Sequence, residues 1–213
     1  MRDYSRFDGY LNRLCEDIYP QPTDDGHTAW AECAIGHLRD DLGDMKTVLD
    51  VGCGTGFCSD IFQELGLVYK GVTASPKDRR QAKKSNIRVS LGDMTYLPAL
   101  DESMDLVFAR HVLEHSPFPI ITLMEWWRVS RRYLYLVAPA PDYWGYAGKN
   151  HYSVAGKAQL EWWLDRAGWQ ISGHKTFTTK DEMYIEVNPT YNQANVRDVE
   201  YWLLCEKSEP IRE

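Results

Sequence analysis

The run TVLDV at Thr47–Val51, followed at once by Gly52, Gly54 and Gly56, constrains the fold of this chain more than anything else in it. A short apolar and β-branched run of this kind reads as a strand. The glycines then let the backbone turn tightly and come close to a ligand. The next segment, FCSDIFQELG, has helical apolar spacing and a stop at Gly66, which completes a strand, loop and helix unit.

The alternation continues. VYKGVTA reads as a strand, PKDRRQAKKS as a helix opened by Pro76, IRVSLGD and MDLVFARHV as strands, and PIITLMEWWRVSR as a helix. RYLYLVAP is a further strand, SVAGKAQLEWWLDRAG a helix ended by Gly168, and WQISGHKTFT and VEYWLLCE the last two strands. The predicted fold class is α/β: a doubly wound, seven-stranded, mostly parallel sheet with an antiparallel final hairpin whose strands join without a helix. Two amphipathic helices precede it, Tyr4–Ile18 and Thr28–Leu42, the second closing at Gly43. Residues 1–46 are thus expected to form an N-terminal helical lid segment and 47–213 the sheet domain, one structural domain in all. Ligands in such sheets bind at the carboxyl ends of the strands, beside the first.

Composition narrows the function classes. The 213 residues suffice for one well-packed core. A net charge of −7 provides no general field for phosphate backbones. The local exception, Lys77, Arg79, Arg80, Lys83 and Lys84, equally describes the solvated face of a helix. Five cysteines show neither a CxxC pair nor zinc-site spacing, as in a reducing cytoplasm. The opening MRDYSRFDGY has no apolar core for a signal peptide, and no stretch approaches the length of a membrane span. The expectation is a cytoplasmic protein without membrane contact or bound metal. Eight tryptophans are generous, and the pairs Trp126–Trp127 and Trp162–Trp163 are read as packing helices on the sheet.

A dinucleotide fingerprint would read GxGxxG, whereas here the last glycine position holds Phe57. VLDVGCGTG instead resembles motif I of the class I S-adenosylmethionine (SAM) dependent methyltransferases, with Asp50 two positions before the first glycine. HVLEH, then PIITLMEWWRV and a strand ending at Ala138-Pro139, resemble the branch that includes quinone-biosynthesis C-methyltransferases. The resemblance covers Thr47 to about Gly168. It implies SAM as cofactor, S-adenosylhomocysteine as product, no metal, and a cofactor site at Asp50, Gly52, Cys53, Gly54, Gly56, Thr73, Ser75, Asp93, Met94 and Arg110. A carboxylate at Asp50 suits the two cations of SAM; Asp93 and Met94 match the positions that meet the adenine amine and ring. In these enzymes the second strand usually ends in an acid that holds both ribose hydroxyls. Here GVTAS offers only the hydroxyls of Thr73 and Ser75, as in relatives of the cyclopropane-fatty-acid synthases.

Methyl transfer needs alignment, exclusion of water and, for poor nucleophiles, a base. His111 is the candidate base because it follows the fourth strand at the mouth of the site. Glu114 and His115 are read as packing or capping groups. The loop PAPDYWGYAGKNHYS gathers Tyr143, Trp144, Tyr146, His151 and Tyr152, the candidate acceptor-binding residues. Asn188-Pro189-Thr190-Tyr191 is similar to the NPPY motif of DNA amino-methyltransferases but falls in the last hairpin connection and is read as a turn. Three functions stay open: a methyltransferase acting on a small molecule or conjugated metabolite, one acting on nucleic acid or protein, and an inactive partner subunit of the same fold.

Overall fold

Val48, Leu49 and Val51 are buried because Thr47–Val51 (β1) is flanked on both sides by parallel strands, β2 (Val68–Thr73) and β4 (Met104–Arg110). The computed structural model describes residues 5–15, 25–144, 150–190 and 195–208. Among these, β3 (Val89–Leu91), β5 (Ser130–Pro139), β6 (Trp169–Thr178) and β7 (Asp198–Lys207) complete one sheet in the order β3-β2-β1-β4-β5-β7-β6. The first five strands are parallel, and β7 pairs antiparallel with both β5 and β6. A side-chain clasp fixes β1 against β4: Asp105 Oδ2 accepts from the Thr47 amide at 2.9 Å and its hydroxyl at 2.8 Å, while the Asp105 amide donates to Thr47 Oγ1 at 2.9 Å.

Helices cover both faces, as a doubly wound sheet requires. On one face α5 (Pro119–Val129) and α7 (Lys157–Arg166) bury Leu123, Trp126, Leu160 and Leu164 against Leu49, Val107 and Leu136. On the other, α2 (Asp25–His37) and α3 (Ser59–Glu64) bury Trp30, Ile35 and Phe62 with Phe108, Tyr135 and Trp202. The helix α4 (Pro76–Lys84) buries only Ala82 and leaves its five lysines and arginines in solvent. Each tryptophan pair divides: Trp126 is fully buried and Trp127 half-buried, while Trp163 is half-buried and Trp162 exposed.

Three local expectations are corrected. The second helix ends at His37 instead of Leu42, because Arg39–Asp41 tighten into a 3₁₀ turn before Gly43. The last two strands are not joined directly: α8 (Glu182–Val187) lies between β6 and β7 and packs Tyr184 flat on Trp30 of α2. The aromatic loop after β5 begins with a short helix, α6 (Pro141–Trp144). Helix α1 (Ser5–Cys15) occupies most of the first expected helix; the limits Tyr4 and Ile18 lie outside the described residues. Pro189 and Thr190 do form a turn, and Tyr191 lies outside the described residues.

Candidate functional site

Loop geometry at the carboxyl end of β1 follows from its glycines. Gly52, Gly54 and Gly56 all have positive φ, at 72°, 55° and 84°, a region that side chains with a Cβ disfavour. The Gly52 and Cys53 amides both donate to the Val72 carbonyl, at 2.8 and 3.1 Å, tying the loop to β2. A Cβ on Gly52 would collide with the Val112 side chain, so the loop after β1 lies directly against the loop after β4. A Cβ on Gly54 would meet nothing within 4 Å. The crest of the loop is therefore open, while its base is closed.

Asp50 lies beneath this loop with its carboxyl buried. Tyr69 donates to Oδ2 at 2.7 Å. Burial, only partly offset by that hydrogen bond, pushes the carboxyl up to about 7. Burial also raises the thiols of Cys53 and Cys58 well above their ordinary value, so neither is a nucleophile. At the end of β2 the Thr73 hydroxyl accepts from the Ser75 amide at 3.2 Å, and Ser75 Oγ caps α4 by accepting from the Asp78 amide at 3.2 Å. Each oxygen keeps its own proton to donate.

After β3, Asp93 Oδ1 accepts from the amide and hydroxyl of Thr95 at 2.6 and 2.7 Å, a closed turn. The Met94 carbonyl accepts from Trp126 Nε1 at 3.1 Å, and the Leu97 amide donates to Glu125 at 2.7 Å. Helix α5 thus pins the turn that carries Asp93 and Met94.

The loop after β4 is built from charge. Arg110 Nη2 donates to Glu200 Oε1 at 2.8 Å, and His111 Nε2 lies 2.9 Å from the same oxygen. Trp202 Nε1 donates to Oε2 at 2.8 Å. Burial alone would raise the Glu200 carboxyl, but the Arg110 guanidinium and His111 outweigh it and hold the group down at about 2. His111 itself has φ 52°, unusual for a residue with a Cβ. Beyond it, Glu114 is buried without a hydrogen-bond partner for either carboxylate oxygen, and burial lifts it to about 8. Glu200, fixed by no motif and distant in sequence, is the functional-site neighbour that sequence reasoning missed.

The acceptor candidates separate. Tyr143 accepts from Tyr184 Oη at 3.1 Å and packs edge-on against that ring, facing α8. His151 and Tyr152 belong to the other side: the Tyr152 amide donates to the Glu114 carbonyl at 2.7 Å, and the His151 ring stands edge-on to His115 at 4.9 Å. Trp144 ends α6 and only its backbone is placed, while Tyr146 lies outside the described residues.

Residues 49–137 match the family model described as a methyltransferase domain. An uncharacterized methyltransferase of Mycobacterium sp. (strain KMS) is 32% identical over 96 residues, 44% of this chain and 35% of that protein. A malonyl-[acyl-carrier protein] O-methyltransferase of Hamiltonella defensa is 33% identical over 93 residues, 42% of this chain and 36% of that one. The matched segment spans about a third of the length of these relatives. Among solved structures, a SAM-dependent methyltransferase from Archaeoglobus fulgidus shares the fold, with a TM-score of 0.68 at 17% identity over 96% of this chain and all of the other. The strand order, the glycine loop closing β1 and the matched segment agree: residues 49–137 carry a methyltransferase domain, set in a fold shared with solved SAM-dependent methyltransferases.

Proposed function

We propose that the chain transfers a methyl group from SAM to a small-molecule or conjugated-metabolite acceptor, releasing S-adenosylhomocysteine. The observation that carries this reading is the β1 loop: Gly54 faces open space while Asp50 sits buried beneath it with a carboxyl poised near neutrality. The residues fit the cofactor. Gly52, Cys53, Gly54 and Gly56 shape the cradle for its methionine half, and Asp50 supplies charge opposite to its cations. Asp93 and Met94 border the adenine, and the Thr73 and Ser75 hydroxyls stand where the ribose belongs. Bound there, SAM supplies an electrophilic methyl group. Arg110 acts through Glu200, to which it is tied, and so positions the loop after β4.

His111 is the proposed proton acceptor for an acceptor group that must lose one, with Glu200 orienting its ring. His151 and Tyr152, held beside His115 and the Glu114 carbonyl, border the acceptor in this reading; of the other candidates, the Trp144 side chain and Tyr146 lie outside the described residues. Helix α1 provides the lid, because Phe7 and Tyr10 are exposed and Phe7 touches Phe118, whereas α2 is committed to the core. The acceptor class is supported by the acidic charge and by relatives named for a carrier-bound malonyl group and for norajmaline.

Calorimetric titration with SAM and with S-adenosylhomocysteine is expected to show saturable binding that Asp50→Ala abolishes. Labelled SAM should then mark a low-mass fraction of a native metabolite extract. Label appearing only in nucleic acid or protein, and lost on charge reversal of Lys77 to Lys84, would move the function to a macromolecular acceptor. No binding of either ligand to folded protein would leave a partner subunit of this fold.

A further inference from the structure

We propose that Glu114, His115 and His151 form a binding site for a divalent transition cation of the zinc or cobalt(II) type. Each offers one ligand atom, and the three atoms lie within 4.8 Å of one another. His115 Nε2 is 4.0 Å from Glu114 Oε1. About a tetrahedral ion with bonds of roughly 2.1 Å the ligand atoms would stand about 3.3 Å apart, so closure asks for about 1.5 Å at most. Small side-chain rotations supply that.

Two independent observations point to a ligand here. Both Glu114 oxygens and His151 Nδ1 are buried without a hydrogen-bond partner. Leaving such groups unpaired is costly, and a cation held between them offsets that cost. The second is orientation. His115 Nδ1 lies 3.1 Å from the Asn150 carbonyl, which accepts its proton and leaves the Nε2 lone pair facing Glu114. Metal-binding histidines are commonly fixed through their other nitrogen in this way. The scaffold is also tied together: the Tyr152 and Ser153 amides donate to the Glu114 carbonyl at 2.7 and 2.9 Å, and Ser153 Oγ donates to the Ser116 carbonyl at 2.6 Å.

Two imidazoles and one carboxylate favour zinc, cobalt or iron over the oxygen-seeking magnesium and calcium. Three protein ligands leave a fourth position for water or an acceptor oxygen. The expectation of no metal came from cysteine spacing and from the family resemblance, neither of which registers a pair of histidines brought together from either side of β5.

Chelator-treated full-length protein, titrated with Zn²⁺ alone by calorimetry and with Co²⁺ by visible absorption, tests the site without any cofactor. The expected result is one ion per chain and new Co²⁺ bands in the visible. His151→Asn and Glu114→Gln should each weaken binding at least about tenfold, and His174→Asn, exposed on β6, should not. Because Glu114 makes no side-chain hydrogen bond, Glu114→Gln should melt no lower than wild type without metal. Zn²⁺ should then raise the melting temperature of wild type and of His174→Asn, and not that of Glu114→Gln. The proposal is overturned if wild type binds neither ion, or if both site variants bind like wild type. A failure here leaves SAM binding untouched, and the reverse also holds.

Discussion

The loops after β1 and after β4 touch through Gly52 and Val112, yet they are built on different principles. The first is a backbone device: three positive φ angles and two amides folded onto one carbonyl. The second is a side-chain device, in which Arg110, His111 and Trp202 converge on one buried carboxylate supplied by β7. A backbone device fails by strain and a charge device by desolvation, and the two failures differ in size.

Glu200→Ala is therefore the most damaging change expected. It leaves a buried guanidinium without its partner and should cost about 3–5 kcal/mol of unfolding free energy, measured by urea denaturation. Glu200→Gln, which keeps the acceptor atom, should cost less. Next comes Gly52→Ala, where a positive φ and collision with Val112 combine to about 2–3 kcal/mol. If Gly52→Ala proved more costly than Glu200→Ala, the contrast between the loops would be reversed.

The same contrast explains what could be read from the sequence. The glycine loop is local, so its strand, its turn and the stop at Gly66 were all legible, as was the parallel part of the sheet. Glu200 was not, because nothing near it in sequence marks it; it acquires its role only when β7 inserts between β5 and β6. Helix α8 was missed because DEMYIEV is short and carries strand-compatible residues, and tertiary packing of Tyr184 on Trp30 decides the matter. The aromatic loop read as one acceptor surface, but of its described rings Tyr143 faces α8 and His151 faces His115, a division that composition cannot carry.

Acid–base behaviour gives a third separation. Asp50 is raised to about 7 in the folded protein by burial, so between about pH 4 and 7 the folded chain holds a proton that the unfolded chain has released. Its contribution to stability is present at low pH and lost as pH rises towards 7. Comparing wild type with Asp50→Asn isolates this group from the other carboxyls and histidines. Their stability difference should shift against wild type by about 1.4 kcal/mol for each pH unit within that range. A cation bound above Asp50 favours its ionised form, so SAM binding near pH 7 should release a proton, seen as buffer-dependent calorimetric heats. A flat difference would mean that Tyr69 alone keeps the carboxyl ionised.

The smallest effect on folding is expected two residues beyond Gly52. Gly54 also has positive φ, but a Cβ there meets nothing, so Gly54→Ala bears only the conformational penalty of about 1 kcal/mol. The same methyl group would project from the open crest, into the volume where the methionine half of the cofactor is proposed to lie. Gly54→Ala should therefore remain folded while losing at least about tenfold in SAM affinity, a loss worth about 1.4 kcal/mol. Gly52→Ala works the other way, with its damage in stability. Measuring both variants by denaturation and by titration separates the half of the loop that holds the protein together from the half left open for a ligand. Equal affinity in Gly54→Ala and wild type would place the ligand elsewhere.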